Sequence, residues 1–524
     1  MKKINLLVMS LVSAAALSFS SCSSDNDLGG GASGGNSQVD GFYMTLAIQT
    51  PTSNGTRTSI IDPTEDATAE EAAVKNGTFY LVDANGAVVF SKTLTDRDWS
   101  GAIKDPATPA KDGKTILQIQ VENVAAGATY KVYFKAGSKD MDTVEPFTIT
   151  TGASKTGIFT ANGIAQTFTV DETFTHPCDK GNDFSMFNQN DVTTNGNGYT
   201  VTFEDGNKVE TNPATVEYNG AINAPIKIER VTARVDVPTS IGGTLTGTYP
   251  ENASQALKNA IDDAKKKVAK IELVGYALSN ITNKTYVMQT WNTADNPWKL
   301  TIPTDATLSK TKAEFGDKYL FKDGGFKTLE DATNDYIFEN NKEKEDEATA
   351  MYFKYKVTLD ANKFTVDGTE AGEKMPADYP DNAKTKNGGT FYRYNNVIYT
   401  SFAQIKKAYA DVAGLFEGKT AEDMKTALDA AIDDETKLAA FRKKYQIEVF
   451  KGGLTYYKQI IKDKQLSKNV IQRNTIYRLN VNKIFNIGAQ VPNGEIDKNG
   501  LFYLDVTVSV NPWVLNTQDI PLGD

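Results

Sequence analysis

The chain has 524 residues, a formal net charge of −10 and an ordinary globular balance of 40% apolar and 23% charged residues. Single hydrophobic cores stop growing near ~250–300 residues, so this length predicts at least two domains. The acidic balance excludes the basic footprint that nucleic-acid binding needs. The 25 Phe and 23 Tyr, with frequent Thr, Val, Gly and Asn, predict a mainly β protein of short strands and turns.

The start of the chain has the pattern of a secretion signal. Lys2 and Lys3 are followed by an apolar run that is too short and too interrupted by serine for a transmembrane helix. The stretch "FSSC" resembles the lipobox of bacterial lipoproteins, in which the cysteine carries the lipid, such as palmitate. We therefore expect residues 1–21 to be removed and Cys22 to anchor the precursor in the outer membrane. Plain cleavage beside an incidental cysteine is the alternative.

A tether rich in Gly and Ser, residues 22–41, leads to the first predicted strand, "FYMTLAIQ". Large apolar side chains occupy every second position of this strand, which predicts one buried face. The four residues of that face are Phe42, Met44, Leu46 and Ile48.

The segment "PTSNGTRTSIIDPTED" that follows is predicted to be an exposed loop, because Pro, Thr, Ser, Asn and Gly dominate it. Arg57 is its only basic residue, and the only one between Cys22 and Val74. A trypsin-like protease would therefore have one place to cut here, between Arg57 and Thr58.

Strand patterns continue to about residue 240. "GTFYLVDANGAVVF" predicts a hairpin around Asn85 and Gly86. "TILQIQVENV", "TYKVYFKAG" and "IERVTARVDVP" are further predicted strands. Residues 42–240 are thus predicted to form an N-terminal β-sandwich domain.

Residues 241–524 are predicted to form a second β-sandwich domain. It opens with a helix in "SQALKNAIDDAKKKVAK" and continues with strands. Residues 402–445 change to helical spacing, and Thr420 with Asp423 resembles a capping box. We therefore expect a helical insertion there. Its first helix is predicted from four apolar residues: Phe402, Ile405, Val412 and Leu415.

The last predicted strand, "YLDVTVSV", has the same period of two as the first. Only Asn511 to Asp524 follow it, with two prolines, so no hairpin partner comes after it. Pairing within its own domain and pairing with another chain both remain open. Its apolar residues are Leu504, Val506, Val508 and Val510, with Trp513 just beyond.

Catalytic motifs are not found. His176 is the only histidine, and its closeness in sequence to Cys178 is a poor match to a catalytic dyad, whose members come from distant parts of a chain. The sequence holds no HExxH, GxxxxGK[ST] or CxxC motif. With 66 acidic residues, carboxylate pairs arise by chance, so a glycosidase pair has no readable signal. We expect no enzyme activity, no metal and no cofactor.

Several stretches, taken in order, resemble the fimbrillin family, the FimA-like major fimbrial subunits of Bacteroidetes-type bacteria. The likeness covers the lipoprotein leader, the first strand with "TSNGTR", and "IERVTARVDVP". It continues in "VGYALSNITNKTYV" and in "GGLTYYKQIIKDKQLSKNVIQRNTIYRLNVNKIFNIG", which leads to "LDVTVSVNPW". Each stretch alone is weak evidence for the family, and the order of the stretches along the chain is more specific. Residues 402–445 have no family-wide counterpart that we can match.

The resemblance implies two transthyretin-like, Greek-key β-sandwich domains and a place in a cell-surface fimbria, or pilus, that supports adhesion. It implies that an arginine-specific, trypsin-like protease cuts after Arg57 and that chains polymerise with copies of themselves and related subunits by strand exchange. The displaced strand would then be Phe42 through Ile48. The donor would be Leu504 through Val510, with Trp513 following.

Two other functions stay open on the sequence. The first is a monomeric surface lipoprotein that binds glycan or host protein, for which Trp99, Trp291 and Trp298 could form a sugar platform, although tryptophans are more often buried. The second is a secreted hydrolase, which would need a site that the sequence does not reveal.

Overall fold

The structure is a computed structural model. It describes residues 41–49, 65–66, 76–94, 103–104, 114–137, 167–169, 185–190, 196–240, 242–292, 294–295, 299–309, 325–330, 332–364, 389–463, 466–492 and 504–514.

The chain is mainly β, as its composition predicted. The strands up to residue 240 are β1 (Phe42–Gln49), β2 (Glu65–Asp66), β3 (Asn76–Val82), β4 (Val88–Leu94), β5 (Ile103–Lys104), β6 (Lys114–Val121), β7 (Thr129–Gly137), β8 (Thr167–Thr169), β9 (Met186–Asn188), β10 (Tyr199–Thr202), β11 (Ala214–Tyr218), β12 (Ala221–Ile222), β13 (Ile226–Arg230), β14 (Ala233–Val235) and β15 (Thr239–Ser240).

Most of these strands form one sheet, which closes on itself through β1. Neighbouring strands run in the order β11, β10, β7, β9 and β13, and β1 pairs with both ends of that series. The other edge of β1 pairs with β6. The first strand is therefore central to its sheet.

The predicted hairpin is confirmed as β3 and β4, and β3 also pairs with β7. Asp83 holds the turn, because its Oδ1 accepts the backbone N–H groups of Asn85 at 2.9 Å and Ala87 at 2.8 Å. Gly86 has a φ of 81°, a left-handed conformation that glycine adopts without a Cβ clash.

The second half contains four α-helices among the described residues: α1 (Gln255–Lys267), α2 (Phe402–Ala408), α3 (Ala421–Asp429) and α4 (Glu435–Tyr445). Its strands are β16 (Val268–Ser279), β17 (Lys284–Tyr286), β18 (Thr290–Asn292), β19 (Lys299–Thr301), β20 (Lys327–Thr328), β21 (Asp335–Ile337), β22 (Ala350–Leu359), β23 (Phe391–Tyr394), β24 (Val397–Tyr399), β25 (Glu448–Phe450), β26 (Leu454–Ile460), β27 (Thr475–Ile484) and β28 (Leu504–Val514).

Two sheets dominate this half. One has the order β20, β16, β22 and β26. The other has the order β2, β28, β27, β14 and β21, with β15 also on β27. The second sheet thus combines strands from the beginning, middle and end of the chain.

The predicted helical insertion is confirmed, and it has a small sheet of its own, β24, β23 and β25. Helices α2, α3 and α4 pack on that sheet around a separate apolar cluster. The capping box at Thr420 is present, with its Oγ1 accepting from the Asp423 N–H at 3.1 Å. The first helix is shorter than predicted, because it ends at Ala408 and Val412 is 49% exposed.

Two hydrophobic clusters form the cores of the β part. The first core cluster joins β1 with apolar residues of β3, β6, β7, β10, β11 and β13. The second core cluster joins β14, β16, β22, β26 and β27. Strand β13 ends at Arg230, and the second cluster begins with Val231. The domain division near residue 240 stays a prediction.

Candidate strand-exchange site

The apolar face predicted for the first strand is buried in the first core cluster. Met44 and Leu46 are fully buried, Ile48 is 1% exposed and Phe42 is 8% exposed. Thr45 lies on the other face and is half-buried. The alternation of the sequence therefore matches the burial of the strand.

Phe42, the first residue of β1, packs against an aromatic ring and a lysine side chain. The rings of Phe42 and Phe203 meet edge to face with centroids 5.4 Å apart. The Nζ of Lys208 lies 5.4 Å from the centroid of the Phe42 ring. The first large side chain after the tether is thus packed between an aromatic ring and a cation.

Both backbone edges of β1 are occupied. Its whole length pairs antiparallel with β6, from Phe42 with Val121 to Gln49 with Lys114. On the other edge, parallel pairing passes from β11 at Met44 and Thr45 to β13 at Ile48 and Gln49.

Strand β6 depends on β1 for its place in the sheet. Among the described residues, β6 pairs with β1 and with the two-residue strand β5. Removing β1 would therefore open an edge of β6 along residues 114–121 and also expose edges of β11 and β13. Such a vacancy has unpaired N–H and C=O groups on both sides, which another strand could satisfy.

The last strand lies within the second half of its own chain. Strand β28 pairs antiparallel with β27, from Leu504 with Ile484 to Pro512 with Thr475. A β-bulge interrupts the pairing next to Lys483. Of the two partners left open by the sequence, the structure shows the one within the chain. The side chains of β28 lie outside the described part of the structure.

Beyond Pro512, the partner of β28 changes. Trp513 and Val514 pair in parallel with Glu65 and Asp66 of β2. Strand β2 lies a few residues after Arg57 in sequence, so the segment after the predicted cut contacts the end of the predicted donor strand. Nothing in the sequence pattern indicated this contact.

The first core cluster also contains two residues from the second half, Tyr336 of β21 and Ile476 of β27. Ile476 is fully buried, and its register partner on β28 is Asn511. The core that β1 fills therefore extends to the strand that holds β28.

A buried ion pair fixes the turn that enters β27. Arg473 Nη2 lies 2.8 Å from Glu339 Oε2, and both side chains are buried almost completely. Arg473 also donates to the Val287 carbonyl at 2.7 Å, while Glu339 accepts from Thr285 Oγ1 at 3.0 Å. Since both members of the pair are buried, losing one partner would leave an uncompensated buried charge.

The two halves also meet through a small apolar cluster. Tyr80, Tyr133 and Phe187 from the first half pack with Val287 and Met288 from the second. Burial raises the pKa of the Tyr80 phenol to about 12. These contacts join the two halves in one packed unit.

The arginines limit where an arginine-specific protease could act. The chain has eight arginines, and five of those in the described part are buried: Arg230, Arg234, Arg393, Arg442 and Arg473. Arg478 lies in β27 with its side chain 33% exposed. Arg57 and Arg97 lie outside the described residues.

Other predicted site residues have different outcomes. Cys22, Thr58, His176 and Cys178 lie outside the described residues, so their predicted roles stay predictions. Trp291 is 6% exposed, which removes one member of the sugar platform. Trp99 and Trp298 also lie outside the described residues.

Within the described residues, His, Cys, Asp and Glu form no group of three or more that could hold a metal ion. No helix in this part of the chain is long and apolar enough to span a membrane.

Comparison with known proteins agrees with the resemblance over the end of the chain. Residues 448–519 match the family described as "Major fimbrial subunit protein type IV, Fimbrillin, C-terminal". The matched region contains β25 to β28, including the predicted donor strand. The resemblance to the fimbrillin family is therefore confirmed over these residues. No curated protein matches the chain.

Two solved structures resemble the chain over most of its length. A proposed cell adhesion protein from Parabacteroides distasonis ATCC 8503 is 14% identical, with a TM-score of 0.43, covering 91% of this chain and 99% of its own. A fimbrilin from Porphyromonas gingivalis W83 is 12% identical, with a TM-score of 0.39, covering 91% of this chain and 99% of its own. At these TM-scores neither likeness extends to function.

Proposed function

We propose that the chain is a structural subunit of a cell-surface fimbria. It is secreted as a lipoprotein precursor anchored through Cys22, cut after Arg57 by an arginine-specific protease, and polymerised by donor-strand exchange in support of adhesion. The fimbrillin match over residues 448–519 supports the subunit role. The observation that carries the exchange mechanism is the central position of β1, paired on both edges and buried in the first core cluster.

The cut would free β1 because it severs the strand from the rest of the chain. Burying its four large apolar side chains is worth roughly 1.5–3 kcal/mol each, or about 6–12 kcal/mol together. While β1 stays covalently joined, it fills the site at high effective concentration and excludes other strands. Once cut, it can dissociate and be diluted away.

A terminal strand from a second copy could then occupy the vacancy. The apolar residues of β28 repeat with the same period of two as those of β1, so they can face the same core. Added strands of this kind gain both backbone pairing and side-chain burial. Because donor and acceptor lie at opposite ends of the chain, the contact is heterologous and extends into a fibre.

Processing of the purified precursor tests this proposal. Treatment with an arginine-specific protease should yield a chain that begins at Thr58 and then a ladder of oligomers resistant to dissociation. Arg57→Lys should block both products, whereas Arg97→Lys, the matched control, should leave both unchanged. Equal polymerisation of the Arg57→Lys chain would refute the role of the cut.

Removal of the donor gives a second, independent test. A chain that ends at residue 503 should still be cut and should still accept a strand, but it should not form homopolymers. Mixed with cut full-length chains, it should shorten the ladder in proportion to its share. Normal filaments from the shortened chain alone would exclude β28 as the donor.

A further inference from the structure

Strand β28 is held by two different partners along its length. Leu504 through Pro512 pair with β27, whereas Trp513 and Val514 pair with β2. In the described part of the chain, β2 has no other strand partner. The two-residue pairing therefore holds the end of β28, and it involves a segment close to the predicted cut.

We propose that β2 is a latch that retains the end of the donor strand until the chain is processed. This inference rests on the proposed function and adds its regulation. The same proteolytic event would then open the acceptor site in the first half and loosen the donor strand in the second. Unprocessed precursors would be unable both to accept and to donate.

Chain connectivity explains how the cut would act on the latch. Before cleavage, β2 is tied on one side to the docked strand β1 through residues 50–64 and on the other side to β3 through residues 67–75. Both connections restrict the space that β2 can explore when it is unpaired. A cut after Arg57 removes the first restriction, which raises the entropy of the unpaired state and lowers the fraction of time that β2 is paired.

Packing in the first core cluster acts on the same end of β28 from the opposite side. Ile476, which lies across from Asn511, packs in the cluster that β1 fills. When β1 leaves, the cluster that contains Ile476 loses four buried apolar side chains, so its packing loosens and the β27–β28 pairing weakens first at this end. The segment Asn511–Val514 is thus flanked on both sides by contacts that depend on the N-terminal region.

The arrangement predicts an order of release. The end at Val514 opens first, because only two register pairs hold it there. The longer pairing with β27 then separates toward Leu504. Strands that separate from one end break their pairs one after another, so the latch controls the first step of the process.

Hydrogen exchange of the uncut chain tests the latch without any need for polymerisation. The double variant Glu65→Pro/Asp66→Pro has no backbone N–H group in β2, so it cannot donate to β28. Exchange in peptides that cover Asn511–Val514 should become at least several-fold faster, while Leu504–Ser509 should stay protected. After protease treatment, the same variant should form oligomers with a shorter lag than the wild type.

The matched control is Ala221→Pro/Ile222→Pro, which removes the N–H groups from β12, a two-residue edge strand in the sheet of the first half. This control should leave exchange at Asn511–Val514 unchanged. The latch is refuted if Glu65→Pro/Asp66→Pro leaves that exchange unchanged, or if the control accelerates it equally. Because the exchange is measured on the uncut monomer, a failure of polymerisation alone would count against the proposed function and not against the latch.

Discussion

Leu46→Ala should change the stability of the precursor and leave the stability of the polymer unchanged. Leu46 is fully buried in the first core cluster, and burial of this kind makes a Leu→Ala change cost about 2–5 kcal/mol in the free energy of unfolding. The precursor should lose that amount, measured as a lower urea midpoint with an unchanged m-value. Under the proposed exchange the polymer should lose nothing, because β1 would be cut off and replaced before the fibre forms.

The same change should affect kinetics. A β1 strand bound more weakly by about 3 kcal/mol leaves its site up to roughly a hundredfold faster, since each 1.4 kcal/mol is a factor of ten. If departure of β1 limits the rate, the lag between protease treatment and the first oligomers should shorten by up to that factor. Light scattering after a fixed protease pulse measures the lag.

Leu117 of β6 is the matched control, because it is the register partner of Leu46 and packs in the same cluster. Leu117→Ala should destabilise the precursor and also the polymer, since β6 stays in the chain after the cut. Thermal dissociation of purified filaments compares the two variants. If Leu46→Ala weakens the filaments as much as Leu117→Ala does, β1 remains in the fibre and the reasoning fails.

Three further predictions follow from the described residues. Arg473→Met should lower the free energy of unfolding by about 3–5 kcal/mol, whereas the double change with Glu339→Leu should cost much less than that, both measured by urea unfolding. Burial raises the pKa of Tyr80 and of Tyr355 to about 12. Tyrosine phenols of the unfolded chain ionise near pH ~10, whereas these two stay neutral in the folded chain up to about pH 12. The free energy of unfolding should therefore be unaffected below pH ~10 and fall by up to ~1.4 kcal/mol per pH unit for each phenol as the pH rises to about 12. Tyr355→Phe should make this decrease smaller, as measured by urea unfolding at each pH. Replacing residues 392–449 by a short turn should leave urea unfolding cooperative and filament formation intact, because most apolar residues of this span form their own cluster; the free energy of unfolding should fall by the contribution of Ile398, which packs in the second core cluster.

Local patterns were sufficient to predict much of the fold. The period of two in β1 gave the correct buried face, since alternation depends only on which residues point toward the core. Asn85 and Gly86 gave the hairpin, and Thr420 with Asp423 gave the start of α3, because turns and caps are formed by residues close in sequence. In the hairpin and the helix cap, the interacting groups lie within a few positions of one another.

Long-range partners could not be predicted in this way. The first helix of the insertion was predicted to reach Leu415, but it ends at Ala408, and the left-handed Gly414 separates Leu415 from it. Ile476 joins the core of the first half although it lies far along the sequence, and β2 pairs with β28 from the other end of the chain. The apolar pattern of a strand predicts which side chains are buried, but it does not identify the strands against which they pack.

The pairing of the two terminal strands indicates why exchange could proceed toward the polymer. In its own chain, β28 has β27 along one edge, and its other edge is paired only at Trp513 and Val514 among the described residues. The site of β1 offers β6 along one full edge and β11 with β13 on the other. A strand that moves from the first environment to the second gains backbone partners on a second edge as well as the first core cluster beneath it. Each backbone hydrogen bond contributes only about 0.5–1.5 kcal/mol net, so several such bonds together with the apolar burial are needed to offset the entropy of joining two chains.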